Sequence, residues 1–173
     1  LAINDSRLKP DDLVWKYIPQ WKSHPLKSKI TVRQLATHTS GLEDAIPKNE
    51  GGWKQTFWER KDSPNDPFTM ARDQAHVLFE PGSEYQYSNP GMAMLAYAVT
   101  SSYQGSKYTD ICTLLKERIY KPIGLKRDDW SIGYGSTSHV DGLDLVAHWG
   151  RRGFTPRPVA RIARLLLHKG TRQ

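Results

Sequence analysis

Phe79-Glu80-Pro81-Gly82-Ser83-Glu84-Tyr85-Gln86-Tyr87-Ser88-Asn89 leads directly into Pro90 and the almost wholly apolar run Met92 to Val99. Pro81-Gly82 is a turn signal. Asn89-Pro90 reads as a helix start, because an asparagine side chain accepts from orphan backbone donors and proline at the first helical position forfeits no hydrogen bond. The helix it opens runs to Ser102 and is apolar on nearly every side, so it must be a central helix packed by neighbours. Just ahead of it, Tyr87 and Asn89 lie two residues apart. In extended backbone such residues point to the same side, which brings a phenol and an amide to one pocket. Spacing alone also admits a plainer reading, with Asn89 as helix cap and Tyr87 as packing.

Upstream, Thr31-Val32-Arg33-Gln34 has the form of a capping box and predicts a helix that stops before Ser40-Gly41. Leu13, Val14, Tyr17 and Ile18 repeat at helical spacing and predict a short helix ended by Pro19. Glu43 to Pro67 is rich in Gly, Pro, Asn, Asp and Lys and predicts a long surface loop. Its aromatics Trp53, Phe57 and Trp58 either line the pocket or anchor the loop to the body of the domain. Thr69 is expected to cap a further short helix reaching Leu78.

Downstream, Ser106 is expected to cap a helix carrying Ile111, Leu114, Leu115, Arg118 and Ile119, which ends before Pro122. Asp141-Gly142 between Ser136–Val140 and Leu143–Ala147 predicts a small β-hairpin. Thr155-Pro156 starts a last helix with Val159, Ile162, Ala163 and Leu166 on one face, closed by Lys169 and the C-cap Gly170.

The chain has 173 residues, a size at which one domain is the default. No stretch approaches the roughly 18 apolar residues of a membrane span, and Leu1 opens no signal peptide. The missing initiator Met suggests a sequence that begins inside a longer protein. Cys112 is the only cysteine, and its apolar neighbours Ile111, Leu114 and Leu115 predict a buried structural thiol. The formal charge of +7 invites a nucleic-acid partner, but the cations are spread along the chain. Only Arg151, Arg152, Arg157, Arg161 and Arg164 gather, the last three at the spacing of one solvated helix face, so no nucleic-acid role is expected. The six histidines show no metal-ligand spacing, and neither a metal nor a cofactor is expected.

With its surroundings, the Tyr87-Ser88-Asn89 segment resembles the second motif of the class C β-lactamases and the related penicillin-binding-protein-like esterases and peptidases. Ile30 to Leu42, ending in His38-Thr39-Ser40-Gly41-Leu42, is similar to the family's helix and its His-Thr-Ser-Gly-Leu close. Asp11 to Pro19, Lys121-Pro122-Ile123-Gly124-Leu125 and Thr155 to Gly170 are similar to further segments in the same order. The resemblance implies an α/β fold of the β-lactamase/transpeptidase type. These residues would supply mainly its helical region and a small hairpin, as one partial domain spanning 1–173.

The resemblance also implies a serine hydrolase that works through an acyl-enzyme on ester or amide bonds, β-lactam and peptide included. Tyr87 would move protons, and Asn89 would hold a lysine and the substrate. Of the family's three motifs only this one is present. The Ser-x-x-Lys is expected about a dozen residues before Leu1, so the chain alone is expected to be inactive. Ser6-Arg7-Leu8-Lys9 fits that pattern, but Pro10 disfavours helix at Lys9. His168-Lys169-Gly170 matches the third motif on paper but ends a helix where a strand is required. Ser40 belongs to a turn. The rival expectation is a non-catalytic binding domain that kept the pocket. The partner expected is a small-molecule or peptide substrate, oligomeric state is left open, and an extracytoplasmic location is implied by the resemblance alone.

Overall fold

The capping box forms as its sequence requires. The Gln34 N–H donates to Thr31 Oγ1 (3.3 Å) and the Thr31 N–H to Gln34 Oε1 (2.9 Å), opening α1 (Val32–Ala36). These features come from a computed structural model that describes residues 1–46, 52–134, 137–150 and 153–170. Ahead of α1, the expected helix is replaced by two 3-10 turns, Val14–Lys16 and Pro19–Trp21. Pro19 starts the second instead of ending the first, because its fixed φ suits the first helical position.

The expected long loop contains a helix, α2 (Trp53–Glu59), whose N-cap is Gly52 with no side chain to announce it. The next helix, α3 (Pro67–Gln74), is capped by Asp66 and not by Thr69. Asp66 Oδ1 accepts from the Phe68 and Thr69 N–H groups, both at 2.9 Å. It ends short of Leu78 because the following residues are drawn into extended pairing. The Leu78 N–H donates to Gly41 O (2.8 Å), the Glu43 N–H donates to His76 O (3.0 Å), and Leu42 and Val77 form an antiparallel bridge.

The central helix α4 (Asn89–Ser102) is buried along most of its length. Its cap is Ser88, one residue before the expected Asn89, with Ser88 Oγ accepting from the Gly91 N–H (2.9 Å). The short α5 (Ile111–Leu115) is capped by Asp110, not Ser106, and passes into a π-helical turn, Lys116–Tyr120.

Two two-stranded antiparallel sheets follow: β1 (Trp130–Ser131) pairs with β4 (Gly153–Phe154), and β2 (Thr137–Val140) with β3 (Leu143–Val146). The predicted hairpin is thus present, its Ser136 lying outside the described residues. Asp141 and Gly142 have φ of 51° and 76°, as a two-residue hairpin turn matched to strand twist requires. Asp141 also pins this turn to the helices, accepting from Tyr97 OH, Arg72 Nη1 and Gln20 Nε2.

The last helix is α6 (Pro156–Leu167). It is closed by Lys169 and Gly170, both with φ in the left-handed region. Its apolar face is only partly used. Ile162 packs against a second core of Tyr120, Leu125, Trp130, Ile132 and Val146, whereas Val159 and Leu166 are exposed. Arg161 is not simply solvated, since it donates to Ile123 O (3.0 Å) and Gly124 O. Arg151 and Arg152 lie outside the described residues. The main core, with Trp21, Leu35, Phe57, Phe68, Tyr97 and Leu145, surrounds α4. Cys112 is half-buried beside the second core, and burial pushes its thiol pKa up, which suits a structural role. Among the described residues no helix is long and apolar enough to cross a membrane.

Candidate active site

The segment 79–89 reaches α4 by wrapping around the turn that ends α1. The Gly82 N–H donates to Thr39 O (2.8 Å) and the Gln86 N–H to His38 O (2.9 Å). Gly41 makes this approach possible. Its φ is +79°, and a Cβ there would lie 2.5 Å from Phe79 O, so a side chain would push the two strands apart. Ser40 in the same turn is buried, and its Oγ accepts from the Leu42 N–H at 3.4 Å, a turn contact.

Tyr87 and Asn89 come together as expected: the Tyr87 hydroxyl donates to Asn89 Oδ1 at 3.3 Å. The Tyr87 side is open, with 49 % of the residue exposed, while Asn89 is almost fully buried. A half-exposed phenol therefore stands on an almost fully buried amide. The amide is held by Asp44, whose Oδ1 accepts the Asn89 backbone N–H (2.8 Å) and side-chain N–H (2.9 Å). The expectation that Asn89 itself caps the helix is corrected, since the cap belongs to Ser88 and Asn89 is the first helical residue.

Sequence reasoning missed Asp44 and His38. His38 lies under Tyr87, ring centroids 4.6 Å apart and planes tilted by 34°, with the Tyr85 ring edge-on at 6.1 Å. The Ser88 N–H donates to His38 Nδ1 (3.3 Å). Both residues act across about half a hundred positions of sequence, and no local period announces such contacts. The only available signal was that His38 and Asp44 bracket the Thr39-Ser40-Gly41 turn already marked by its glycine.

Beside Asp44, Glu43 is buried and holds three donors. Lys54 Nζ lies at 2.6 Å, His76 Nδ1 at 2.7 Å and the His76 backbone N–H at 2.9 Å. Burial acts to raise its pKa, but the hydrogen bonds from Lys54 and His76 outweigh it and leave the carboxyl below its ordinary value. Glu43 O accepts from Ser88 Oγ (3.1 Å), so this ionised pair is fastened to the helix cap.

The aromatics of α2 serve this segment from beneath. Phe57 is fully buried, between the Trp58 ring at 5.2 Å and the Trp149 ring at 5.0 Å. Trp58 Nε1 donates to Ala45 O, next to Asp44, and Trp53 packs half-buried against the same core. Anchoring, the second of the two expected roles, is the one these contacts describe.

Neither Ser6–Lys9 nor His168–Gly170 has the backbone that the motif it matches on paper requires. Ser6 has φ +55° in a turn closed by Arg7 N–H to Ala2 O (2.9 Å), and the Lys9 N–H donates to Asp12 Oδ2 (2.7 Å), so no helix joins Ser6 to Lys9. His168 follows the last residue of α6 and caps it, and is not on a strand. No group of three or more His, Cys, Asp or Glu among the described residues could hold a metal ion.

Comparison with known proteins gives one family. A family model described as Beta-lactamase matches residues 1–137. Penicillin-binding protein 4* of Bacillus subtilis (strain 168) is 30 % identical over 99 residues, covering 56 % of this chain and 20 % of that protein. Among solved structures, the D-stereospecific amidohydrolase of a Streptomyces species superposes with a TM-score of 0.66 at 21 % identity, over 96 % of this chain and 55 % of its own. The D-amino acid amidase of Ochrobactrum anthropi SV3 superposes with a TM-score of 0.63, also at 21 % identity, over 97 % of this chain and 50 % of its own. The chain thus spans a fifth of the curated relative and about half of these structures. At this identity the superpositions establish the fold, the α/β architecture expected from the sequence.

Proposed function

The chain belongs to the β-lactamase family, and from that premise we propose that residues 1–173 are one partial domain carrying the tyrosine side of a serine-hydrolase active site. The nucleophile and its lysine come from outside these residues. The observation that carries the reading is the half-exposed Tyr87 with its hydroxyl held on Asn89 Oδ1, Asn89 being held in turn by Asp44.

In the reaction, a serine Oγ attacks an ester or amide carbonyl and forms the Oγ–C bond. Its proton passes to a lysine or to the Tyr87 oxygen as the bond to the leaving group breaks, and that proton ends on the leaving group. Water then attacks the acyl-enzyme and releases the acid. Phenols ordinarily ionise near pH 10, so such a tyrosine needs a neighbouring cation to act near neutrality. That the relatives include amide hydrolases supports an amide or ester substrate, and an extracytoplasmic location belongs to the same reading.

The test is Tyr87→Phe in the longer polypeptide that carries a nucleophile. The ring stays, so folding should be kept, while loss of acid–base assistance should lower ester turnover roughly 100- to 10,000-fold. Turnover above half of the parental value would remove Tyr87 from the mechanism. The 173-residue chain alone should show no covalent labelling by a fluorophosphonate or penicillin probe, and labelling of Ser6 or Ser40 would place the nucleophile inside it.

A further inference from the structure

The residue that closes α1 in the left-handed region is a histidine, at a position where glycine is the usual occupant. His38 has φ +57°, its N–H donates to Leu35 O (3.4 Å), and the following Thr39 N–H donates to Gln34 O (2.9 Å). This pair of bonds is the common helix-ending motif whose left-handed site glycine fills without steric cost. Lys169 closes α6 in the same way, so the left-handed site by itself assigns His38 no role, and what its side chain touches decides.

That side chain, with the backbone carbonyl beside it, meets the tyrosine segment at three consecutive residues. His38 O accepts from the Gln86 N–H (2.9 Å), the imidazole and Tyr87 ring centroids lie 4.6 Å apart, and Nδ1 accepts from the Ser88 N–H (3.3 Å). We propose that His38 is a positioning residue: it sets the height and tilt of the Tyr87 phenol by supporting its ring and by fixing the peptide on either side of it. The value of this support for catalysis rests on the proton-transfer reading of Tyr87. The support itself is a matter of geometry and can fail or stand separately.

One chemical condition follows. An imidazole nitrogen accepts only when it carries no proton, so His38 must be the neutral tautomer with its proton on Nε2. A proton on Nδ1 would turn a donor against the Ser88 N–H and release the segment.

The experiment uses the 173-residue chain and readouts that need no catalysis. Imidazole nitrogen shifts should show His38 Nδ1 as a bare acceptor at neutral pH, and finding the proton on Nδ1 overturns the proposal. His38→Gly removes the side chain and suits the left-handed backbone, so a residue that served only to end α1 could be replaced without loss. The expected result is an unchanged or higher Tm, with the isotope-labelled Tyr87 ring signal moved toward its free position and Ser88 amide exchange about tenfold faster. His38→Asn also tolerates this backbone and restores an acceptor, so it should recover the Ser88 protection and leave the Tyr87 signal displaced. If both variants leave the Tyr87 signal and the Ser88 exchange as in the parent, His38 does not position the tyrosine. These outcomes are independent of whether Tyr87→Phe abolishes turnover.

Discussion

Asp44 Oδ1 accepts both N–H groups that Asn89 turns toward it, the backbone amide at 2.8 Å and the side-chain amide at 2.9 Å. One oxygen therefore settles two things, where α4 begins and which way the Asn89 amide faces. With Nδ2 on the carboxylate, only Oδ1 is left for the Tyr87 hydroxyl, so the network assigns the amide orientation.

Removing the carboxylate should loosen both. Asp44→Ala is expected to lower stability by about 1–3 kcal/mol, the range for hydrogen bonds to a charged group, and to broaden the Asn89 side-chain amide signals. Urea unfolding measures the first effect and NMR the second. An unchanged midpoint together with unchanged amide signals would mean that Asn89 is held by something else.

The helix cap gives a prediction that separates two neighbouring residues. Ser88 Oγ accepts from the Gly91 N–H and donates to Glu43 O, so Ser88→Ala should cost about 1–2 kcal/mol. The hydroxyl is buried with both partners, and neither can turn to water in its absence. A silent Ser88→Ala in denaturant titration would return the cap to Asn89.

Lys27 offers a test by pH. It is 3 % exposed, its Nζ donates to Arg72 O (2.8 Å), and burial lowers its pKa to about 8 against the attraction of Asp73 and Glu43. The folded chain then binds fewer protons here than the unfolded chain between pH 8 and the ordinary lysine value of 10.5. Stability from this group must rise with pH across that window, and below it the charged lysine opposes folding in full. A shift of this size corresponds to roughly 3 kcal/mol as an upper bound. Lys27→Met leaves Arg72 O with the Trp21 indole N–H as donor (2.9 Å). The advantage of Met over Lys should therefore shrink as pH climbs from 8 to 10.5. Parallel stability curves for the two proteins would show that burial does not penalise the charge.

The aromatics of α2 are expected to act through packing. Phe57→Ala opens a cavity among Trp58, Trp149 and the core and should cost about 3–5 kcal/mol. Trp58→Phe keeps most of the volume but loses the indole donor to Ala45 O, and should cost about 1–3 kcal/mol while disturbing the Asn89 signals two residues of linkage away. Disturbed Asn89 signals in Phe57→Ala but not in Trp58→Phe would contradict the assigned path from α2 to Asp44.

What could be read in the sequence were features decided within a few residues. The Thr31–Gln34 box, the Asp141-Gly142 turn and the apolar α4 each carry their cause in a short window. The one-residue error at α4 has a plain origin. Ser88 and Asn89 are both good caps, Pro90 fits either register, and the choice was made by Glu43 and Asp44, which a local reading does not see. For α2 there was no side-chain cap to find, and its Gly-, Pro- and Asn-rich surroundings read as loop. For α6 the period was legible, but it does not say how much of the face is covered: the described residues cover Ile162 and leave Val159 and Leu166 exposed. In the site, the pair Tyr87 and Asn89 was legible from spacing and resemblance, whereas their supports His38 and Asp44 exist only through tertiary contact.

The bonds that complete this site join residues 50 positions apart at His38 and Ser88, and 45 apart at Asp44 and Asn89. Between them the chain makes an excursion through α2 and α3 and returns. In kinetic language these are high-contact-order links, whose reward arrives only after the closure entropy of the whole excursion has been met. The α1 capping box closes within four residues and has no such wait. The phenol and its amide thus acquire their supports late, and until the excursion closes the N–H groups of Ser88 and Asn89 belong to water.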